Sequence, residues 1–306
     1  MLAPRKPHLL VIGIDGMDFR ISSQLLAAGR LPNLSALAAR GAWGPLQSTV
    51  PPVTPCAWTT LMTGKNPGKH GIFEFTTEAF PQAVASRRRV MTVWRALSRE
   101  GLRVGTFNLP TTYPPEQLSS FQVSGFDAPA FGADIAWPQE AVGVLEAAIG
   151  RYELFPVSIL APEGDAAAAQ QHVDLPLLGT RALLTALPCD VYMVSFQVVD
   201  WVQHARLGGE LPAGGSADLQ PDGVVARTYA QVDDRIGSLL SEWASDETTV
   251  LVVSDHGGAS ADRLVNLERL FLDDGLMAYA PGVGATNIAC PGAGRAPEGF
   301  CESGRH

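Results

Sequence analysis

No apolar run in this sequence approaches the ~18 residues that a membrane-spanning helix requires. The stretch Leu9–Ile14 follows Arg5 and Lys6, yet it is too short for the core of a secretory signal and stops at Asp15. Cysteine is scarce: the four residues, at 56, 189, 290 and 301, include no C-x-x-C pair. That spacing excludes a zinc ribbon and a dithiol redox motif, and reads as reduced thiols in a cytoplasmic protein. Positive charge is also short. Lys and Arg number 22 against 31 Asp and Glu, a net charge of −9, so nucleic acid is not an expected partner. Several nucleotide and hydrolase signatures are missing too. The segment Gly64-Lys65-Asn66-Pro67-Gly68-Lys69-His70 has G-x-x-x-G-K-H spacing and not that of a P-loop. No G-x-S-x-G elbow occurs, and Gly13-Ile14-Asp15-Gly16 lacks the G-x-G-x-x-G of a dinucleotide site. There is no internal repeat.

What is present suits a globular α/β protein. The 306 residues are 46% hydrophobic and 17% charged, enough for a sizeable core. Three short apolar runs each lead into acidic and histidine side chains. Leu9–Ile14 leads to Asp15-Gly16, Val191–Phe196 to Asp200-x-x-x-His204, and Val250–Ser254 to Asp255-His256-Gly257-Gly258. Such runs read as buried parallel strands. In open parallel sheets, ligands bind beyond the carboxyl ends of the strands. Three carboxylates and two imidazoles therefore converge there, and the Thr-rich segment 49–63 offers a nucleophile beside them.

Strands are expected at 9–14, 104–109, 190–196 and 249–254. Between residues 21 and 40, Pro32 and the Gly29-Arg30 turn divide the apolar pattern into two helices. Further helices are expected near 55–63, 90–99, 175–187, 222–243 and 266–274. Segment 116–170 mixes aromatics with Gly and Pro and reads as an insertion or cap over the core. Residues 206–223, rich in Gly, Pro, Ala and Asp, read as a mobile loop. From 281 the periodic apolar pattern ends in a Gly-, Pro- and Cys-containing tail that reads as disordered, which leaves residues 1–280 as the catalytic domain.

Each ligand has a plain alternative when taken alone. Asp15 could cap a helix or a turn. Asp200 and His204 stand at i and i+4, which on a helix puts both on one face, able to share a cation. Asp255 and His256 are adjacent and reach one site only in irregular backbone, which the following glycines permit. Together the set is a hydrolytic metal centre. Zinc accepts carboxylate oxygen and imidazole nitrogen, and manganese and iron suit the same donors. A metal pair can clamp the attacking and leaving oxygens of a phosphoryl transfer. Lys65, Lys69 and His70 lie near the nucleophile segment but read as solvated loop charge and a packed imidazole. Asn108 reads equally as a pocket or a turn residue.

At this point the sequence resembles the alkaline phosphatase superfamily, in its type I phosphodiesterase/nucleotide pyrophosphatase branch. The matching stretches are Val11 to Gly16, Gly29 to Leu34, Ser48 to Ile72, Val199 to His204 and Val253 to Gly257. The resemblance implies a mostly parallel sheet with helices on both faces and a hydrolase of small phosphate esters. It implies Thr54 as the nucleophile, forming a phospho-enzyme, and two divalent metal ions. Asp15, Thr54, Asp255 and His256 would hold one ion, and Asp200 and His204 the other. Two departures stand out. Ala57 occupies the place where some nucleotide pyrophosphatases carry an Asn, which weighs against a nucleotide substrate. Cys56 is not a sulfatase signature, because Trp58 and Thr60 replace the expected Pro and Arg. The family also draws a third ligand for the second metal from a late His, whereas the only His after 256 here is His306. A truncation near residue 280 is therefore expected, with weakened metal binding. The alternatives are an inactive remnant that binds a phosphorylated ligand or a partner, and a phosphomutase or phosphonate hydrolase.

Overall fold

The structure is a computed structural model that describes residues 6–75, 84–161, 163–210, 222–260 and 265–278. The 281–306 tail, His306, most of the 206–223 loop, Cys290 and Cys301 lie outside the described residues. The chain divides into two compact units, Met1–Ala259 and Ser260–His306.

The first unit is built on six strands: β1 (Leu9–Ile14), β2 (Val104–Leu109), β3 (Phe121–Ser124), β4 (Ala136–Trp137), β5 (Val191–Phe196) and β6 (Thr249–Val253). Their order across the sheet is β4-β3-β2-β5-β1-β6. All neighbours pair in parallel except β3 and β4. The helices are α1 (Phe19–Ala27), α2 (Pro32–Arg40), α3 (Thr54–Thr63), α4 (Pro67–His70), α5 (Val84–Arg87), α6 (Val93–Arg99), α7 (Glu140–Ile149), α8 (Ala166–Ala186), α9 (Val198–Glu210) and α10 (Val224–Trp243). In the second unit, α11 (Leu267–Asp273) is capped by the Asn266 side chain, which accepts from Arg269 N. Among the described residues no helix is long and apolar enough to cross a membrane.

The period-2 alternation of β1 explains the layers. Leu10, Ile12 and Ile14 point to the larger core, where residues of α1, α2, α8, α9 and α10 pack. Val11 points to the opposite face, against Trp58 and Met62 of α3 and Trp94 of α6. Because both faces are covered, β1, β2 and β5 are almost wholly buried, which is why β1 and β5 read as nearly continuous apolar runs. β6, at the edge, is more open, with Leu251 47% exposed.

Several boundaries differ from the sequence reading. The helix expected over 90–99 begins at Val93, because Thr92 caps it by accepting from Arg95 N. The helix expected from 175 begins at Ala166, where the Asp165 carboxylate accepts from Ala167 N and Ala168 N, and it continues through Pro176. Within 116–170, β3 and β4 extend the sheet itself. α9 carries the helix on to Glu210, whose carboxylate accepts from Val224 N and Val225 N at the start of α10. Residues 206–210 are thus helical and not loop.

Register places the site. Ile14 pairs with Phe196 and Gly13 with Val253, so the chain leaves β1, β5 and β6 at one level. Asp15 N continues the ladder by donating to Phe196 O at 2.8 Å.

Candidate metal and nucleophile site

Beyond that level, Asp15, Asp200 and His256 bring one ligand atom each to within 4.8 Å of one another. Asp15 follows β1 directly and is buried. Its Oδ2 accepts from Trp58 Nε1 at 3.0 Å, while its Oδ1 is buried with no hydrogen-bond partner. Asp255 follows β6. Its Oδ1 accepts from Gly16 N at 3.1 Å, and its Oδ2 is likewise buried and orphaned. Both orphaned oxygens face His256 Nε2, at 3.5 and 3.3 Å. The other ring nitrogen, Nδ1, lies 2.9 Å from the Gly257 carbonyl. A carbonyl can only accept, so Nδ1 donates to it, and Nε2 is the nitrogen turned toward the acidic oxygens.

Thr54 completes this group. It is the first residue of α3, and its Oγ1 lies 3.0 Å from His256 Nε2. Ser48 supports the loop from below by donating from Oγ to Asp255 O at 2.6 Å. The helix N-terminus at Thr54 turns backbone N–H groups and the positive end of the helix dipole toward an anion placed there.

Asp200 reaches the cluster from the first turn of α9, with its side chain 15% exposed. His204, one turn on, lies on the outer side. Its Nε2 is 3.4 Å from Asp200 Oδ2, and its side chain is 69% exposed. The structure thus brings Asp15, Thr54, Asp255, His256 and Asp200 together and sets His204 at the rim, attached through Asp200.

The electrostatics follow from crowding acids in a buried place. Burial first, then the Asp255 and Asp200 carboxylates, holds Asp15 well above the usual carboxylate range, against the lowering effect of the Trp58 donor. Burial likewise pushes Asp255 up to about 6, partly offset by His256 and by the Gly16 amide. The hydrogen bond that His204 donates to the Asp200 carboxylate raises the His204 pKa. Two orphaned carboxylate oxygens beside an imidazole lone pair form a donor set that fits a divalent cation, which would supply the missing positive charge.

Other candidates are structural. Asn108 adopts φ 63° and is buried, donating from Nδ2 to Ser195 O at 3.0 Å and accepting at its carbonyl from Gln197 Nε2 at 2.7 Å. His70 is buried, with Nδ1 accepting from Ile72 N and Nε2 3.0 Å from Thr60 Oγ1, and burial lowers its pKa. Lys65 and Lys69 are exposed. Cys56 is buried with Sγ toward the Ile72 and Phe73 carbonyls, and burial raises its thiol. Cavities of about 480 Å³, at Ser48, Thr60 and Phe73, and about 430 Å³, at Phe126, Phe131 and Tyr152, are not lined by the acidic cluster.

The sequence reading gave no role to Trp58, Gln203 or Tyr229. Trp58 stands one turn beyond Thr54, but that spacing does not reveal its bond to Asp15. Gln203 Nε2 donates to Gly16 O at 2.6 Å, and Tyr229 OH donates to Gln203 Oε1 at 3.2 Å. Nothing in the local sequence marks those two.

The family model for type I phosphodiesterase/nucleotide pyrophosphatase matches residues 9–299. No curated protein gives a significant sequence match. Among solved structures, phosphonoacetate hydrolase from Sinorhizobium meliloti 1021 is similar in two complexes. With phosphonoformate the TM-score is 0.53 at 18% identity, covering 83% of this chain and 57% of that one. With phosphonoacetate it is 0.56 at 18% identity, covering 88% and 62%. This chain therefore spans less than two thirds of the length of those chains, and at such identity the likeness is one of fold.

Proposed function

The chain belongs to the type I phosphodiesterase/nucleotide pyrophosphatase family, and on that premise we propose that it is a metal-dependent hydrolase of small phosphoric esters with Thr54 as nucleophile. The observation that carries this reading is Thr54 Oγ1 at 3.0 Å from His256 Nε2, beside the orphaned oxygens of Asp15 and Asp255. Asp15, Asp255 and His256, with Thr54, would hold one divalent cation, and Asp200 and His204 a second. Zinc suits these donors, with manganese and iron as further candidates. Bound there, the metal neutralises the carboxylates and lowers the pKa of a hydroxyl beside it.

The remaining chemistry lies with the chain. Thr54 Oγ1 forms a bond to phosphorus while the ester bond to the leaving alcohol breaks, giving a phospho-threonine. Water then attacks the same phosphorus and returns the Thr54 hydroxyl with release of phosphate or a monoester. The α3 N-terminus holds the phosphoryl oxygens throughout. The excess of acidic residues favours a small substrate over nucleic acid, and buried free Cys56 and Cys189 agree with a cytoplasmic setting.

The test is metal content together with hydrolysis of bis-p-nitrophenyl phosphate and p-nitrophenyl phosphate, comparing wild type with Thr54→Ala. About two metals per chain and a loss of turnover of roughly 10³-fold or more are expected. Absence of metal together with absence of turnover would sink the reading and leave a non-catalytic remnant, and turnover that survives the substitution would remove Thr54 as the nucleophile. A second reading, phosphonate hydrolysis, is favoured by the similar phosphonoacetate hydrolase structures. Phosphonoacetate in the same assay separates the two.

A further inference from the structure

α9 carries Asp200 and His204 one helical turn apart, and Gln203 stands between them in sequence without reaching the cluster. Its amide turns inward instead. Nε2 donates to Gly16 O at 2.6 Å, at the turn that follows Asp15, and Oε1 accepts from Tyr229 OH at 3.2 Å. Tyr229 belongs to α10, and its hydroxyl also accepts from Asp18 N at 2.9 Å, where α1 begins. Gly16 N in turn donates to Asp255 Oδ1 at 3.1 Å. One buried path of hydrogen bonds thus joins α10, α9, the turn after β1 and the loop after β6. Gln203 and Tyr229 are 4% and 3% exposed.

The contact between α9 and the Gly16 turn has no slack. Gly16 has φ +68°, and a Cβ there would lie 2.7 Å from Asp200 Oδ1. Holding α9 so close runs against electrostatics, since it presses the Asp200 carboxylate toward Asp15 and Asp255. An apolar pair would fill the same space without the desolvation cost of an amide and a phenol. The polar groups go to the backbone of the ligand-bearing turns, which is where their fixed lengths set a distance.

We propose that the Tyr229–Gln203 pair is a positioning device, setting the separation between Asp200/His204 on one side and Asp15, Asp255 and His256 on the other. The inference rests on the metal reading of the site given above. Their hydrogen bonds go to Gly16 O and Asp18 N, so both act through the backbone of the turn that carries Asp15.

The experiment uses Tyr229→Phe, which keeps the ring, and Gln203→Met, which keeps the length. Each is treated with chelator, melted, and then titrated with Zn²⁺ alone by calorimetry. The imidazole ¹H–¹⁵N resonances of His204 and His256 are recorded in the metal-free proteins, with His70 as the reference. We expect Zn²⁺ affinity to fall about 10-fold, and the His204 and His256 signals to move while that of His70 stays. Unchanged affinity and unchanged His204 and His256 signals in either folded variant would overturn the proposal, whatever happens to the melting temperature. Should wild type itself take up no Zn²⁺, the metal reading fails on its own. The two imidazole signals then decide the positioning: movement supports it and constancy overturns it.

Discussion

Trp58 shows how one side chain can serve both packing and charge. Its ring lies against β1 where a Cβ on Gly13 would approach to 2.3 Å, so glycine is required at that position. From there Nε1 reaches Asp15 Oδ2 at 3.0 Å. Trp58→Phe retains an aromatic ring but removes the donor to a buried carboxylate, at a cost of about 1–3 kcal/mol. Asp15, already raised by burial and by Asp255 and Asp200, then rises further. Zn²⁺ affinity near neutral pH should fall about 10-fold, measured by calorimetric titration; an unchanged affinity would reduce Trp58 to packing alone. This residue also marks the limit of reading the site from sequence. Asp15, Asp255 and His256 stood out because they lie just beyond apolar strands, and Thr54 through the family resemblance of the stretch Ser48 to Ile72. Trp58, Gln203 and Tyr229 did not, because their roles exist only through tertiary partners. Trp58 meets a carboxylate 43 residues away, and Gln203 a carbonyl 187 residues away.

Elements were legible where local signals and burial agree. β1, β2 and β5 are buried almost throughout because helices cover both faces, and that survives in sequence as short, mainly apolar runs. α8 starts well before the expected residue 175, because the Asp165 cap and the alanines after it form a sound helix start. β3 and β4 were hidden for another reason: strands of four and two residues carry too little periodicity to register. α8 also offers a test of packing against propensity. By helix propensity alone, Gly179→Ala gains about 1 kcal/mol. A Cβ there would meet Phe107 Cε1 at 2.2 Å and Cζ at 2.6 Å, on a side chain that is wholly buried. Overpacking of that kind costs about 1–3 kcal/mol, so the steric term wins. Net of the propensity gain, the variant should lose up to about 2 kcal/mol in urea unfolding, and a stabilised variant would show that α8 can slide on the sheet.

At the scale of the whole molecule, the acidic cluster couples stability to pH and to metal in opposite directions. Burial raises Asp255 to about 6 and raises Asp15 as well. The metal-free native state therefore binds more protons than the unfolded chain between about pH 4 and the raised values. Stability from these groups is full below the unfolded value and is lost as pH rises through the folded one. His172 works the other way. Burial lowers its pKa to about 4, so it destabilises the fold as pH drops below its ordinary range. The two are separable, since Asp255→Asn removes the Asp255 share of the first and leaves the second. Chelator-treated protein should melt progressively lower as pH rises from about 5 to 7, relative to Asp255→Asn under the same conditions. Cation binding reverses the trend, because its ligands must be deprotonated. At Zn²⁺ near 100 times its dissociation constant the native state gains about 2.7 kcal/mol. For a domain of this size that is about 5–10 °C in melting temperature. The gap between Zn²⁺-loaded and chelated protein should open from pH 5 to 7 in differential scanning calorimetry and be much reduced in Asp255→Asn. A gap that is constant with pH would mean that Asp15 and Asp255 are not the groups a cation displaces protons from, and would move the search for its ligands elsewhere.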